Sequence, residues 1–324
     1  MGDDVPVAGG GPGARPEPLH APRDVRQSAA LAAVLDVAVA NRLDPDGAGV
    51  WRAGSAVLVG LPAVPALARV DEPAREGDAR RQVRVAELLA DHGVPAVRIT
   101  GPPEQPVPTG AGPVTVWAWE PPVGPAVTPA DLGRTARNLH DRTRGLGAVA
   151  GAGSAVPVHD PLAAVRAELA RAAVLGHTSD DDLARLDEVV DRVAAAWPAP
   201  DDDPLGAALV HGDLHRGNVV PGRSGPVLAD LELAGRGPAS ADLAPSVVAV
   251  RRYGVDPAAL EQVLTGYGAD PRGWPGLEVL VEAYELWVTA WAVANRGASE
   301  RAEREAEVRL DRWRSGASAP WSLH

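Results

Sequence analysis

The sequence of 324 residues contains no cysteine, no lysine and no phenylalanine. The absence of cysteine excludes disulfide bonds, thiolate metal sites and a cysteine nucleophile. Because lysine is absent, arginine supplies all 31 basic side chains. A phosphate-binding loop of the GxxxxGK[ST] type, a Schiff-base lysine and a Ser-Lys dyad are therefore excluded. With three tyrosines, aromatic packing depends mainly on the nine tryptophans.

Long apolar runs are also missing. No stretch of about 18 or more uninterrupted apolar residues occurs, and the first twenty residues lack the apolar centre of a signal peptide. We therefore expect a cytoplasmic protein, monomeric or homodimeric, that binds no membrane. The formal net charge of −12 argues against nucleic-acid binding and favours a small cationic partner.

Length and periodicity predict an α+β protein with two lobes of unequal size. Residues 1–24 are rich in glycine and proline and predict a disordered tail. Residues 25–119 predict an N-lobe in which a five-stranded antiparallel sheet is accompanied by helices at Gln27–Arg42 and Gly77–His92. The five predicted strands are Val50–Arg52, Ala56–Gly60, Ala66–Val70, Val97–Thr100 and Pro113–Trp119.

Residues 120–324 predict a larger, mainly helical C-lobe. Its first helix should begin at Thr128, because a threonine N-cap is followed by proline at the first helical position. The predicted helices are Thr128–Arg144, Pro161–Leu175, Asp180–Trp197, Leu277–Ala294 and Ser299–Arg314.

Polar side chains concentrate where short apolar runs end. The run Ala207–Val210 predicts a buried strand that leads into Asp213, and Asn218 and Asp230 adjoin the next two apolar runs. Phosphoryl transfer needs a carboxylate to accept the proton of the attacking hydroxyl and oxygen ligands to hold Mg²⁺ on the nucleotide. Asp213 suits the first task, and Asn218 and Asp230 suit the second.

The run HGDLHRGN (residues 211–218), followed by Asp230-x-Glu232, resembles the signature of the aminoglycoside phosphotransferase family, a branch of the protein-kinase-like fold. The resemblance implies a bilobal enzyme that uses ATP or GTP with Mg²⁺ to phosphorylate a hydroxyl of a small molecule. An aminoglycoside-like or another antibiotic is the expected acceptor, with antibiotic resistance as the outcome. By the same resemblance, Asp213 is the catalytic base, and His211 and His215 support its loop.

The resemblance also assigns nucleotide contacts in the N-lobe. Trp119 and Glu120 would form the hinge that receives the base through backbone groups. Arg69 stands where the family usually has a lysine for the phosphates, and Gln82 stands where the pairing glutamate is usual. The turn at Gly54 and Ser55 would cover the nucleotide, or would serve only as a hairpin turn.

In the resembling family the C-terminal helices form the acceptor pocket. Glu278, Glu282 and Glu285 recur at helical spacing and would suit an acceptor that bears amines, although a solvated helix face is the alternative. Asp242 precedes an apolar helix, so it is either the N-cap of that helix or a partner of the catalytic loop.

Two other functions remain open at this point. One is a nucleotide-binding, pseudokinase-like regulator with weak or no catalysis, suggested by Arg69 and Gln82. The other is a metal-dependent hydrolase that uses His211, Asp213 and His215.

Overall fold

The computed structural model of the protein describes residues 18–146, 156–316 and 319–322. Packing divides the chain into two units. Of the described residues, the N-terminal unit contains those up to Val127 together with Gly217–Glu232, and the C-terminal unit contains those from Thr128 to Arg216 and from Leu233 onward. The sequence predicted one division, between residues 119 and 120. The observed units divide at Val127 instead, and a later segment of the chain returns to the N-terminal unit.

Strands and helices together give a mixed α/β architecture. The strands of the described residues are β1 (Gly49–Ala53), β2 (Val57–Leu61), β3 (Ala66–Val70), β4 (Val114–Ala118), β5 (Ala207–Val210), β6 (Val219–Gly222), β7 (Gly225–Leu228) and β8 (Gly235–Pro238). The helices are α1 (Val25–Ala40), α2 (Glu76–Asp91), α3 (Pro129–Thr143), α4 (Pro161–Val174), α5 (Asp180–Ala195), α6 (Ala244–Arg252), α7 (Pro257–Tyr267), α8 (Pro275–Ala294) and α9 (Glu300–Ser315).

The main sheet of the N-terminal unit has four antiparallel strands in the order β1-β2-β3-β4. Alternate residues of each strand point to the same face of the sheet, and on the inner face these residues are apolar. Val59 of β2 pairs with Ala68 of β3, and both are fully buried. They belong to a core that also contains Val34 and Ala38 of α1. The neighbouring position, Arg69, consequently belongs to the opposite face of β3.

The predicted fifth strand, Val97–Thr100, is not a strand of this sheet. Ile99 forms only an isolated bridge with Trp117. The reason is that the segment divides its backbone hydrogen bonds between two partners. The amide of Thr100 donates to Val116 of β4, whereas the amide of Val97 donates to Leu228 of β7. No continuous ladder with β4 can form from this arrangement.

Part of the predicted disordered tail is ordered. Residues 1–17 of that tail lie outside the described residues, but His20 exchanges two backbone hydrogen bonds with Val50 of β1. Asp24 then caps α1 by accepting a hydrogen bond from the amide of Gln27. The chain is therefore attached to the sheet before the first helix begins.

The C-terminal unit is mainly helical, with β5 and β8 paired antiparallel. Its first helix, α3, confirms the predicted start, because Thr128 and Asp131 cap each other reciprocally and Pro129 occupies the first turn. Helices α3 and α7 pack through glycines. A Cβ atom on Gly133 would lie 2.0 Å from the carbonyl oxygen of Val263, and one on Gly266 would lie 2.2 Å from that of Ala130.

None of the helices in the described ranges combines the length and the apolar character that crossing a membrane would require.

Candidate active site

The loop after β5 contains the predicted catalytic motif. Gly212 has a φ of 81°, a backbone conformation that glycine adopts without strain. The side chain of Asp242 accepts hydrogen bonds from the amides of His211 (3.0 Å) and Gly212 (2.7 Å). The helix that follows Asp242 has Leu243 as its N-cap, without a side-chain cap. Of the two predicted roles for Asp242, the structure thus shows the tie to the catalytic loop.

Asp242 is part of a buried network. Its Oδ2 lies 2.9 Å from Nε2 of His140, and Nδ1 of the same histidine lies 2.9 Å from the hydroxyl of Tyr267. Burial raises the pKa of Asp242, but the hydrogen bond and charge of His140 outweigh burial and hold that pKa below its ordinary value of 3.8. The network holds the side chain of Asp242 as a carboxylate that accepts from two backbone amides of the loop. These hydrogen bonds fix the path of the loop.

Asp213 is held from three sides within the C-terminal unit. The hydroxyl of Tyr284 donates to its Oδ1 at 2.6 Å, and Nε2 of His215 lies 3.6 Å from its Oδ2. Its own amide donates to Nδ1 of His211 at 3.3 Å. Burial raises the pKa of the Asp213 carboxyl, but His215 and the Tyr284 hydroxyl outweigh burial and lower that pKa below 3.8. Asp213 is therefore a carboxylate at neutral pH.

In the N-terminal unit, Asn218 directly precedes β6, and Asp230 lies two residues beyond the end of β7, its partner strand in the hairpin. Val219 pairs with Leu228, so the residues that flank this pair are also neighbours. The amide of Ala229 accordingly donates to the carbonyl of Asn218 at 2.9 Å. Asp230 has a φ of 60°, a left-handed conformation that is uncommon outside glycine, and such exceptions concentrate at functional sites.

Arg69 lies close to the same hairpin. Its Nε donates to both carboxylate oxygens of Asp71, at 2.9 and 3.0 Å. The other nitrogens reach Asp230 at 3.5 Å and Glu232 at 3.2 Å. Burial lowers the pKa of Arg69. The three carboxylates, of which Asp230 has the largest effect, raise that pKa by more than burial lowers it, so the side chain stays cationic.

The carboxylate partner of Arg69 does not come from α2. Gln82 is buried in α2, and the hydrogen bonds of Arg69 to the described residues do not include it. The buried carboxylate comes instead from Asp71, on the same strand segment as Arg69. Burial raises the pKa of Asp71, and the charge of Arg69 opposes this rise.

The other predicted nucleotide contacts lie in the N-terminal unit. The carbonyls of Gly54 and Ser55 accept hydrogen bonds from Arg26, at 2.7 and 2.6 Å, so the β1–β2 turn is fastened to α1. The amide of Trp119 donates to the carbonyl of Pro65. Its buried indole Nε1 has no hydrogen-bond partner among residues 18–146, 156–316 and 319–322. Glu120 approaches the β6–β7 hairpin, because a Cβ atom on Gly222 would lie 2.8 Å from its Oε1.

The three predicted acceptor-site glutamates of α8 are each paired with arginine. Glu278 binds Arg251, Glu282 binds Arg192 and Glu285 binds Arg252. The side chain of Glu285 is 3% exposed, whereas that of Glu278 is 60% exposed. Glu285 thus forms an internal ion pair, whereas the ion pairs of Glu278 and Glu282 lie at the surface.

Sequence reasoning missed two residues, one in each unit. Tyr284 of the C-terminal unit was not among the predicted site residues, and its contact with Asp213 spans a sequence separation of 71 residues. No local pattern signals such a contact. Asp71 did have a signal, because it continues the two-residue period of Leu67 and Arg69 along β3.

Comparison with known proteins identifies the family of this chain. Residues 52–280 match the model of the phosphotransferase enzyme family, APH. No protein with a curated description matches the sequence.

Solved structures share the fold at low sequence identity. Amicoumacin kinase hAmiN, in complex with AMP-PNP, Ca²⁺ and Ami, is 14% identical with a TM-score of 0.66, covering 90% of this chain and 95% of its own. A choline/ethanolamine kinase family protein from Mesorhizobium loti is 19% identical with a TM-score of 0.54, covering 88% and 93%. The aminoglycoside phosphotransferase APH(3'')-Id from Streptomyces rimosus is 18% identical with a TM-score of 0.55, covering 79% and 98%.

These likenesses show that the mixed α/β fold is shared with solved proteins that are named as kinases or phosphotransferases. The family model spans well over half of the 324 residues and includes the loop of Asp213 and the hairpin of Asn218 and Asp230. The chain belongs to the phosphotransferase enzyme family.

Proposed function

We propose that this protein transfers the γ-phosphoryl group of ATP or GTP to a hydroxyl of a small molecule in the presence of Mg²⁺. The observation that carries the proposal is the environment of Asp213. Its carboxylate stands at the end of a buried strand, on a loop fixed by Asp242, and its pKa is lowered by its neighbours. A positioned carboxylate of this kind orients an attacking hydroxyl and accepts its proton.

In the proposed reaction the oxygen of the acceptor hydroxyl attacks the γ-phosphorus. The bond between that phosphorus and the β–γ bridging oxygen breaks, and its electron pair leaves with the nucleoside diphosphate. Asp213 takes the proton of the hydroxyl, so atoms and charges balance. His211 and His215 support this carboxylate, through the amide of Asp213 and through its Oδ2.

Asn218 and Asp230 are the proposed metal ligands. Asn218, just before β6, and Asp230, just after β7, offer an amide oxygen and a carboxylate oxygen. Such oxygens fit Mg²⁺, which takes few protein oxygens and completes its shell with phosphate and water. When bound, the ion would neutralise charge on the transferring phosphates. Asp230 is 43% exposed, which leaves its carboxylate accessible to solvent and ligand.

Arg69 is the proposed phosphate-binding cation of the N-terminal unit. The guanidinium group is planar and can bind phosphate oxygens through two parallel hydrogen bonds. Asp71 holds Nε and so orients the group, which is the task of the family's usual glutamate at the position where this chain has Gln82. The buried cation thus has a partner of its own, close to the Asp230 hairpin.

The remaining nucleotide contacts are proposed at Trp119, Glu120, Gly54 and Ser55. The amide of Trp119 is already used by Pro65, so the base would be received by the Trp119 carbonyl and the Glu120 backbone. The unsatisfied indole N–H of Trp119 supports ligand binding at this segment, because a buried donor without a partner is costly.

The proposed acceptor is a hydroxylated amine. Three relatives of this fold are named for amicoumacin, for choline or ethanolamine and for an aminoglycoside, and the chain itself has a formal charge of −12. An antibiotic acceptor would make the protein a resistance enzyme. Glu278 and Glu282 are the accessible acidic side chains of α8 for such an amine, whereas Glu285 is buried with Arg252.

Substitution of the proposed base tests this function directly. With Mg²⁺ and ATP or GTP, a panel of hydroxylated amines and antibiotics should include an acceptor that the protein phosphorylates. Asp213→Asn should lower kcat with that acceptor by about 10²–10⁴-fold, because it removes the proton acceptor. Nucleotide affinity, measured by calorimetry, should change little. The exposed Asp187→Asn removes the same charge elsewhere on the C-terminal unit and should behave like the parent.

Two results would contradict the proposal. Full turnover in Asp213→Asn would remove Asp213 from the role of base. Tight nucleotide binding without transfer to any acceptor would favour the pseudokinase-like regulator. The hydrolase interpretation gains no support from the described residues, because none of their His, Asp and Glu side chains form a group of three or more that could hold a metal ion.

A further inference from the structure

Tyr284 lies on α8 and makes a hydrogen bond to the carboxylate that the proposed function uses as its base. The tyrosine hydroxyl is 2.6 Å from Oδ1 of Asp213, across 71 residues of sequence. We propose that Tyr284 is a positioning residue for phosphoryl transfer, which fixes the Asp213 carboxylate in the orientation and the ionised state that proton acceptance requires. The inference rests on the proposed function, but part of its test does not depend on turnover.

The direction of this hydrogen bond is determined by the protonation of both groups. Burial and the negative charge of Asp213 raise the pKa of Tyr284 well above its ordinary value of 10.0. The phenol therefore remains protonated and donates. Asp213 has a lowered pKa and accepts as a carboxylate. The distance of 2.6 Å is that of a charge-assisted O–H···O⁻ bond, which is about twice as strong as a neutral one.

The donor is held by a rigid support. Tyr284 is 9% exposed, and the residues that flank it on α8, including Leu280, Val281 and Trp287, are buried. The next residue, Glu285, forms a two-bond ion pair with Arg252 of α6. A side chain on a packed helix is placed more precisely than one on a loop. The hydrogen bond from Tyr284 therefore connects the loop of Asp213 to a packed helix of the same unit.

The hydrogen bond from Tyr284 does not by itself prevent the carboxylate from acting. An ionised carboxylate has about four lone-pair sites on its two oxygens, and Tyr284 uses one of them. A carboxylate that accepts a hydrogen bond is stabilised in its charged form, so its pKa is lowered. Loss of the tyrosine hydroxyl should accordingly raise the pKa of Asp213 and allow the carboxylate more rotation.

The test is Tyr284→Phe, which keeps the ring and removes only the hydroxyl. We expect the acid limb of the kcat/KM profile to move to higher pH by about one unit, as loss of a hydrogen bond to a charged group implies. On the plateau kcat should fall about tenfold through lost orientation, whereas the KM for the nucleotide should stay unchanged. A purely structural role would lower stability without moving the acid limb.

Tyr253→Phe is the matched control. Tyr253 belongs to the same unit, and its hydroxyl makes no hydrogen bond within the described residues; its ring packs against Trp321, with a centroid distance of 5.9 Å. This variant removes a tyrosine hydroxyl without removing a hydrogen bond to Asp213. Its acid limb and its kcat should match those of the parent.

A second measurement separates this inference from the proposed function. The carboxyl ¹³C chemical shift of Asp213, assigned through Asp213→Asn, can be titrated in protein that has no nucleotide or acceptor. Tyr284→Phe should shift that titration upward by about one pH unit even if no acceptor is ever phosphorylated. Titrations and acid limbs that coincide in the parent and in Tyr284→Phe would overturn the inference, whatever the outcome for the proposed function.

Discussion

Asp71 provides the buried carboxylate that holds Arg69. Both of its carboxylate oxygens accept hydrogen bonds from Nε, while Asp230 and Glu232 contact the other guanidinium nitrogens. The three carboxylates have different surroundings, since the side chain of Asp71 is 2% exposed and that of Asp230 is 43% exposed. The contact with the buried Asp71 therefore anchors the guanidinium group, and the contact with the exposed Asp230 lies where a ligand is proposed.

This anchor leads to a prediction for nucleotide binding. Asp71→Asn keeps the shape of the side chain but removes its charge, so Arg69 loses its strongest orienting contact. We expect the Kd and the KM for the nucleotide to rise about tenfold, which corresponds to loss of one charge-assisted hydrogen bond. The effect on kcat should be smaller, because Asp213 is untouched. Calorimetry and steady-state kinetics measure the two quantities separately.

Asp78→Asn is the control for this variant. It makes the same change of charge at an exposed position in the first turn of α2. Equal nucleotide affinity in the parent, Asp78→Asn and Asp71→Asn would mean that Asp71 does not orient a phosphate-binding group.

The sequence predicted single residues well where the signal is local. Asp213, Asn218 and Asp230 adjoin short apolar runs, and in the structure Asp213 lies in the loop after β5, Asn218 directly precedes β6 and Asp230 lies two residues beyond the end of β7. Their catalytic roles stay predictions. Tyr284 could not be found in this way, because its partner is distant in sequence and tyrosine is also an ordinary core residue on an amphipathic helix.

At the scale of elements, prediction succeeded where caps and periodicity agree. The capping box of Thr128 and Asp131 begins α3 as predicted, and Ser299 caps α9. The strand predicted at Val97–Thr100 failed for a nonlocal reason. Its apolar residues satisfy the strand pattern, but the Val97 amide bonds to β7, which follows in the chain more than a hundred residues later. Local propensity does not encode that competition.

The crossing of α3 and α7 gives a prediction for stability. Gly133→Ala places a Cβ atom 2.0 Å from the carbonyl oxygen of Val263, so the two helices must separate. Backbone cannot move aside as a flexible side chain can. We expect the free energy of unfolding to fall by about 1–3 kcal/mol, the range for overpacking in a dense core. Urea unfolding followed by circular dichroism measures this change.

Gly145→Ala is the control for the helix crossing. Among the described residues, a Cβ atom on Gly145 meets no heavy atom within 4 Å, and its φ is not in the left-handed region. The stability of this variant should equal or slightly exceed that of the parent, since alanine reduces the freedom of the unfolded chain. If Gly133→Ala were as stable as Gly145→Ala, the close approach of α3 and α7 would be contradicted.

For the whole molecule, the dominant electrostatic feature is an acidic chain in which many of the described carboxylates pair with arginine. Several carboxyls have a pKa below the ordinary value for this reason: Asp141, Asp182, Asp270, Glu278, Glu303 and Glu307. Most of these pairs are at the surface, where each adds little and salt screens it. Asp242 differs, because it is fully buried and bonded to two amides and to His140.

A lowered carboxyl pKa fixes the sign of the pH dependence. The folded state binds fewer protons than the unfolded state, so Asp242 contributes its full stability above the ordinary pKa of 3.8. That contribution is lost as the pH falls through the lower pKa of the folded state. Because Asp242 is buried, salt screens its contacts only weakly. The loss of stability on acidification should therefore persist in high salt.

Asp242→Asn tests this contribution. At about pH 7 the variant should lose about 1–3 kcal/mol of unfolding free energy, because an amide group cannot accept from both backbone amides and from His140. The difference from the parent should shrink as the pH falls below 3.8, where the parent carboxylate also becomes protonated. Urea midpoints measured across this range, in low and in high salt, give the comparison. Asp187→Asn, at an exposed position, should follow the parent throughout. A difference between Asp242→Asn and the parent that stayed constant with pH would show that the charge of Asp242 does not stabilise the fold.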